Sequence, residues 1–494
     1  MSEAISFSEI PAGWAVPGSY GEVTTIPSGN DVTDMPLRRL VLGQKGDGKG
    51  ASLVRYQNIS PSQAAVLAGS ASALAATVAA MVAAAPYVAV DMVMVDAPTG
   101  GTAGSATLTF TGPATANGTA AIEANGVRVP FVVTSGMAAA DMAAAAAAAF
   151  TSDVSVQTGL NATVALGVLT LTSAETGTFV NDIDVRMSSL TADLVPGMSV
   201  AVTAMTGGAG TVDLSAALAL VSNVWFTDIV SCLNDASNRN ALETEAERRF
   251  GAMVKKDAHV YYGYRGTYGE VLALAETVNS RFMTCIPAQN PRWAPWIMAG
   301  VAGSIAAQAL NNDPSRPLRT LELTGLTGMA PDDADLFTDA MRNVLLQSGM
   351  STFTVDQDGT VRIERMVTNN QKDATGDTEK AWRDIMVPKT VTRVRYEWNT
   401  YIDATYPRAK LADDTSAMVG IAAYVVTPKA LKGSWAAQSE LYETVEGWLQ
   451  DTDTLAQQAV FTINPTDRNR CDAALPIRVM GSLIVMANSI QLQA

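Results

Sequence analysis

The 494-residue chain predicts an α/β (α+β overall) fold: a doubly wound α/β core interrupted by a mainly β inserted domain, then an α+β C-terminal domain with extended terminal arms. Three observations carry this. Strand-like and helix-like patterns alternate before residue 97 and resume after residue 210, as they do where helices wrap a parallel sheet. Between those points the composition changes: residues 97–210 hold no Trp or Tyr, although the chain has 8 and 12, and only Arg128 and Arg186 oppose seven acidic residues. The length itself supplies material for roughly two to four cores. The resulting division is an arm at 1–24, the core at 25–96 and 211–345, the insertion at 97–210, a C-terminal domain at 346–480, and a second arm at 481–494.

The first arm, ISFSEI followed by Pro11, Gly13, Pro17 and Gly18, suits an extended segment and cannot hold a helix. No basic stretch precedes an apolar run there, so it does not read as a secretory signal. LRRLVLGQKGDGKG then gives a strand at 37–42 and a glycine-rich turn. Gly43, Gly48 and Lys49 satisfy G-x-x-x-x-G-K, the spacing of a phosphate loop. Gly50 stands where the magnesium-binding Ser or Thr belongs, and no helix start follows, so the turn reads as exposed and flexible, with a nucleotide-hydrolysing enzyme as the minor alternative.

Ser60, Pro61 and Gln63 form a helix start, cap, first turn and capping box together. Two helical pieces should meet near Gly69 and stop before Pro86. YVAVDMVMVD reads as a strand buried on both faces, completing a βαβ unit. Pro86 and Asp91 interrupt the apolar stretch 63–95, which therefore lacks the ~20 uninterrupted residues of a membrane span. In the insertion, ATLTF, RVPFVV, VLTLT, IDVRM and SVAVTAM are strand-like around one Ala-rich helix at 138–150.

The resumed core offers a buried strand or a short helix start in NVWFTDIVSCL, a helix in ALETEAERRFGAMVKK, a strand in AHVYYGYRG, a helix in TYGEVLALAETVNS, a strand in MTCIPA and a helix in PWIMAGVAGSIAAQAL. A helix in DDADLFTDAMRNVLLQSG follows, ending at Gly349. STFTVDQDGTVRIERMV has two alternating runs around Asp356-Gln357-Asp358-Gly359, a hairpin with glycine at the turn. TVTRVRYEWNTYI shows further strand-like alternation, and SELYETVEGWLQDT reads as an acidic amphipathic helix. In the last stretch, Ile490, Leu492 and Ala494 alternate with Ser489, Gln491 and Gln493, the period of a half-buried strand. That strand pairs either within the chain's own sheet or on the edge of a neighbour.

Charged residues are 16% of the chain and the formal net charge is −15. The whole molecule should not seek nucleic acid or an anionic membrane surface. Cys232, Cys285 and Cys471 form no CxxC pair, and one histidine, His259, cannot complete an ordinary zinc site with them, so no metal and no cofactor are expected. The three thiols read as small hydrophobes; their odd number leaves a disulfide between subunits as a further option. His259 lies in an apolar strand pattern and reads as a core residue. Asp332, Asp333 and Asp335 crowd a helix start, where carboxylates are favoured, and Asp413 and Asp414 fall in a polar loop. None forms a pattern for acid–base catalysis, and the chain is not read as an enzyme.

Several segments, taken in order, resemble the tail sheath proteins of contractile-tailed bacteriophages in their Mu-like branch. They are the IxFxxIPxxxxVPxxY start at 5–20, VLGQKGxGxG, SxxQAxxLxGxxSxLA, KDAHVYYGYRGTYGEVLAL, NDPSRPLRTLxLxG at 312–325, RNVLLxxGxSTFTVDxDGTVRIERxVT, YPRAKLADD and NPTDRNRCDAALPIRVMGSL. The resemblance implies a structural subunit that polymerises as stacked hexameric rings around a tail tube and contracts to drive the tube through the host envelope. It implies homo-oligomers, a tail tube protein, and baseplate and tail terminator proteins as partners, in a virion assembled in the host bacterial cytoplasm, without nucleic acid or membrane insertion. Neighbours in such a family are linked by strand exchange. The arm residues Ile5, Phe7, Ile10, Ile484, Met486, Ile490 and Leu492 are then the candidate donors, and Phe353, Val355, Val361, Ile363, Val394 and Tyr396 lie on candidate receiving strands. Lys429 and Lys432 are candidate tube contacts. The insertion resembles that branch's extra, outward-facing domain, which leaves a host-binding surface protein as a second alternative.

Overall fold

The computed structural model describes residues 35–422 and 424–492; the N-terminal arm, with Ile5, Phe7 and Ile10, lies outside them. The first strand, β1 (Arg39–Gln44), is buried along its whole length. After the short β2 (Arg55–Tyr56) come α1 (Pro61–Ala68) and α2 (Ala73–Ala84), then the wholly buried β3 (Val90–Val95). α1 starts where its residues demand. Ser60 accepts from the Gln63 amide, and the Gln63 side chain accepts from the Ser60 amide at 3.0 Å. The two helices part at Gly69, whose φ of 107° an L side chain avoids.

The insertion is two antiparallel sheets with helices. Its elements are β4 (Ala103–Thr111), β5 (Gly118–Ala124), β6 (Val127–Val133), α3 (Ala139–Ala149), α4 (Ser152–Thr158), β7 (Leu160–Ala165), β8 (Val168–Thr176), β9 (Val185–Met187) and β10 (Ser199–Thr206). Four strands run in the order β10-β4-β8-β7 and three in the order β6-β5-β9. Alternating burial along β4 and β8 turns one face inward. There Phe110 and Phe131 meet edge to face, 6.0 Å between centroids. The alanine run forms α3, the residue type with the least side-chain entropy to lose, and Met142, Ala143 and Ala146 are its buried stripe. The chain enters and leaves at a narrow neck where Thr102 and Ala209 exchange backbone bonds of 3.0 and 3.2 Å.

The α/β pattern resumes with α5 (Ser215–Leu220), β11 (Asp228–Ser231), α6 (Ala236–Phe250), β12 (His259–Arg265), α7 (Tyr268–Ala275), β13 (Met283–Ala288) and α8 (Pro295–Asn312). The central sheet has six strands in the order β13-β12-β11-β1-β3-β2. β13 through β3 are parallel and β2 is antiparallel. α2 and α8 pack against each other and against the sheet, α2 on β1 and α8 on β12 and β11. A Cβ at Gly303 of α8 would stand 2.9 Å from the Tyr261 ring, so glycine is what lets this helix lie so near β12. α9 (Asp339–Gln347) leads to the hairpin β14 (Thr352–Val355) and β15 (Val361–Arg365), with Gly359 at φ 81° in its turn. Phe353, Val361 and Ile363 share a core with Trp293, Val301 and Leu310.

The last part comprises α10 (Met386–Thr405), β16 (Lys410–Leu411), β17 (Val425–Val426), α11 (Pro428–Thr444), α12 (Thr452–Gln458), β18 (Val460–Ile463) and β19 (Cys471–Ala474). The alternation in TVTRVRYEWNTYI predicts a strand, but the segment is α10, so Val394 and Tyr396 lie on a helix. Met386, Thr390, Val394 and Glu397 are buried at spacings of three and four. Tertiary contacts settle the choice. Lys389 reaches Asp228 at 2.5 Å, Thr392 donates to Asp257 at 2.9 Å, and Arg395 pairs with Asp257. α10 is thereby bolted to the amino ends of β11 and β12. The acidic helix begins earlier than SELYETVEGWLQDT suggests, at Pro428, and ends at Thr444.

Candidate assembly surfaces

The glycine-rich turn after β1 carries the motif nearest to a catalytic one. Its backbone N–H groups do not converge on open space. Gly46 donates to Ala68 O (2.8 Å), Lys49 to Val66 O (2.9 Å) and Gly50 to Leu67 O (2.9 Å). Amides that would cradle a phosphate instead satisfy the last carbonyls of α1, so the helix end presented to the turn has the wrong polarity for an anion. The turn is pinned rather than flexible: a Cβ on Gly48 would fall 2.2 Å from Leu67 O. Lys49 points into solvent.

The other titratable candidates are structural. His259 is 2% exposed, with Nε2 2.8 Å from Thr284 Oγ1. Burial and then Lys389 hold its pKa well below the ordinary value. Asp332 and Asp335 do not start α9, whose cap is Thr338. Asp332 pairs with Arg292 (2.8 Å), which also holds Glu123 of the insertion (2.6 Å), and Asp335 accepts from Gln289 (2.8 Å). Asp333 lies in the single helical turn before α9. Asp414 accepts from the Lys429 amide at 3.0 Å and Asp413 from Ser416 through its backbone carbonyl. Cys232, with its Sγ 3.3 Å from Thr77 Oγ1, and Cys285 are buried, and burial pushes both thiols up to about 12, so neither is exposed on the subunit. Cys471, on β19, is half-buried. All three thiols are free, and no group of three or more potential metal ligands occurs among the described residues.

The C-terminal segment presents the most unusual surface. It is tied down as far as Met480, whose amide donates to Trp448 O at 2.9 Å, after Gln450 has donated to Arg478 O at 3.0 Å. Beyond that point residues 481–492 join no sheet among the described residues. Leu483, Val485, Met486, Ile490 and Leu492 are between 72 and 95% exposed, and Ile484 is half-buried. A run of large apolar side chains in water marks a surface meant for covering.

The strand edges differ in availability. β15 is closed: Thr320 donates to Ile363 O (2.8 Å), Ile363 to Leu321 O (2.9 Å) and Leu323 to Val361 O (2.8 Å). Val361 and Ile363 therefore cannot receive a strand. On β14, Phe353 is turned into the core against Trp293 (5.6 Å), with Val355 half-buried beside it; a cavity of about 180 Å³ lies alongside. Val394 and Tyr396, being helical, offer no edge. Open edges remain at β18–β19, which pair only with each other among the described residues, as do β16–β17. Phe461 packs toward Trp398 at 6.4 Å, while Val460 is 54% exposed. Sequence reasoning passed over this hairpin; its signal was the alternating VFTI run ended by Asn464-Pro465. On α11, Lys432 Nζ donates to Gln457 O at 2.7 Å and Lys429 is exposed.

Residues 207–369 match the family model described as the phage tail sheath protein central domain. Over 459 residues the chain is 28% identical to the Mu-like prophage FluMu tail sheath protein of Haemophilus influenzae, covering 92% of this chain and 93% of that one. Among solved structures, a sheath tail protein from Desulfitobacterium hafniense is 12% identical, with a TM-score of 0.46 over 94% of this chain and all of that one. One from Listeria innocua is 10% identical, with a TM-score of 0.48 over 91% and 94%.

Proposed function

We propose that the chain is the sheath subunit that stacks as hexameric rings around a tail tube and contracts to drive the tube through the host envelope. Its neighbours are joined by strand exchange. The observation that carries this is the C-terminal segment 481–492, apolar and exposed, on a chain that also has an open two-stranded edge at β18–β19. Strand addition uses both features: backbone bonds form the join and alternate side chains set its register. Lys389, Thr392 and Arg395 lock α10 to the core, which lets each subunit move nearly as one body while arms keep the mesh connected. The tail tube protein and the baseplate and terminator proteins are the further partners of this reading, and Lys429 is the candidate tube contact. The insertion faces outward, assembly occurs in the host cytoplasm, and the particle is the virion.

Electron microscopy of purified protein tests it. The full chain should form tubes of uniform diameter, whereas a chain lacking residues 483–494 should stay soluble and unpolymerised. Ordinary tubes from the truncated chain would refute the arm. Charge on the exposed face of β18, as in Val460→Asp, should likewise block polymerisation without unfolding the subunit.

A further inference from the structure

A crevice of about 240 Å³ opens where the carboxyl ends of β1, β11 and β12 come together. From β1 the chain moves to β3 on one side, then crosses to β11, β12 and β13 on the other, so the strand order reverses between β1 and β11. Open parallel sheets bind ligands at that point. Here the walls include Gln44 at the end of β1, Asn234 and Asp235 after β11, Arg239 in α6, and Asp182 from the insertion.

Two of these groups are buried and unmatched. Arg239 is 9% exposed; its Nη1 donates to Asn234 O, its Nε has no partner, and no carboxylate forms an ion pair with it among the described residues. Gln44 is 3% exposed; its Nε2 donates to Thr176 O at 2.9 Å, while its Oε1 accepts nothing. A guanidinium withdrawn from water without a counter-ion is costly, and so is an idle buried amide oxygen. The 15-residue helix α6 begins at the same wall, its first turn capped by the Asp235 carboxylate, which accepts from the Asn238 amide at 3.1 Å. A carboxylate would answer Arg239 but has no proton for Gln44. Hydrogen phosphate has both an anionic oxygen and an O–H.

We propose that this crevice binds inorganic phosphate, its charged oxygens facing Arg239 and its P–O–H donating to Gln44 Oε1. Asp182 supports the assignment, because burial, opposed by Arg265 and Asn234, pushes its carboxyl up to about 6; protonated, it donates to a third phosphate oxygen and binding tightens as pH falls. The site is independent of the sheath reading, and it sits where the insertion meets the core.

Thermal unfolding of the full chain, in phosphate, sulfate or chloride at equal ionic strength, tests the proposal. Sulfate shares phosphate's general stabilising effect as an excluded salt but has no O–H at neutral pH. Phosphate should raise the midpoint above sulfate, by more at pH 6 than at pH 8, and the excess should vanish in Arg239→Gln and shrink in Gln44→Leu. Equal midpoints in phosphate and sulfate for the unaltered chain overturn the proposal, as does a phosphate excess that survives Arg239→Gln. If Arg239→Gln does not fold, calorimetric titration of the unaltered chain decides: saturable heat with phosphate and none with sulfate supports the site, and no heat with either removes it.

Discussion

Glu175, at the end of β8, carries a charge across the junction between insertion and core. It is 7% exposed, and its Oε2 accepts from the Ala73 amide, the first residue of α2, at 2.7 Å. Its Oε1 has no partner. Burial pushes the carboxyl up to about 7, the Ala73 amide pulls it back in part, and Asp47 in the glycine turn adds repulsion. Relative to the ordinary value of 4.5, a rise of that size corresponds to about 3 kcal/mol. The sign follows from which state holds the proton more tightly. The folded chain does, so the stabilisation is complete below about pH 4.5 and is lost as pH rises through about 7. Glu175→Gln keeps the shape and the acceptor for Ala73 and removes the ionisation. At pH 8 the variant should be more stable than the unaltered chain by up to ~3 kcal/mol, and at pH 4.5 the two should coincide. Denaturant unfolding at both values, followed by hydrogen exchange at the α2 amides, measures this. A variant equally or less stable at pH 8, or an advantage independent of pH, would refute the buried, proton-holding carboxyl.

Other outcomes follow from the same kind of packing. Lys389→Met leaves the Asp228 carboxylate, 1% exposed, with only Tyr261 as a side-chain donor at 3.0 Å; α10 amides should exchange faster by the equivalent of ~3–5 kcal/mol, and the double change Lys389→Met with Asp228→Asn should recover much of it. Gly48→Ala, with its Cβ against Leu67 O, should destabilise by about 1–3 kcal/mol in a melting experiment, whereas Lys49→Ala should leave stability within about 0.5 kcal/mol. A thiol reagent should modify Cys471 in the native chain and reach Cys232 and Cys285 only after denaturation; early reaction of all three would contradict the packing around β11 and β13.

The periodic elements were legible because their own residues decide them. Ser60 to Gln63 announces a helix by hydrogen-bonding its own start, and VDMVMV announces a strand buried on both faces. The Asp358-Gly359 turn and the tyrosine- and tryptophan-free insertion are equally local. α10 was not legible: its Thr, Val, Arg and Tyr alternate like a strand, and Lys389, Thr392 and Arg395 choose the helix by finding Asp228 and Asp257, more than 130 residues away. The same applies to the glycine turn, whose phosphate-loop spacing is genuine but whose amides are consumed by α1.

By itself the sequence determined the alternation of strands and helices, the change of composition between residues 97 and 210, and the family resemblance, since each lies in local order or composition. Only the tertiary structure decided which edges are open. Among the described residues, β15 is closed by Thr320–Leu323, β18–β19 and β16–β17 each pair only with each other, and residues 481–492 join no sheet. An edge is open or closed according to what distant chain lies beside it, and no local pattern encodes that neighbour.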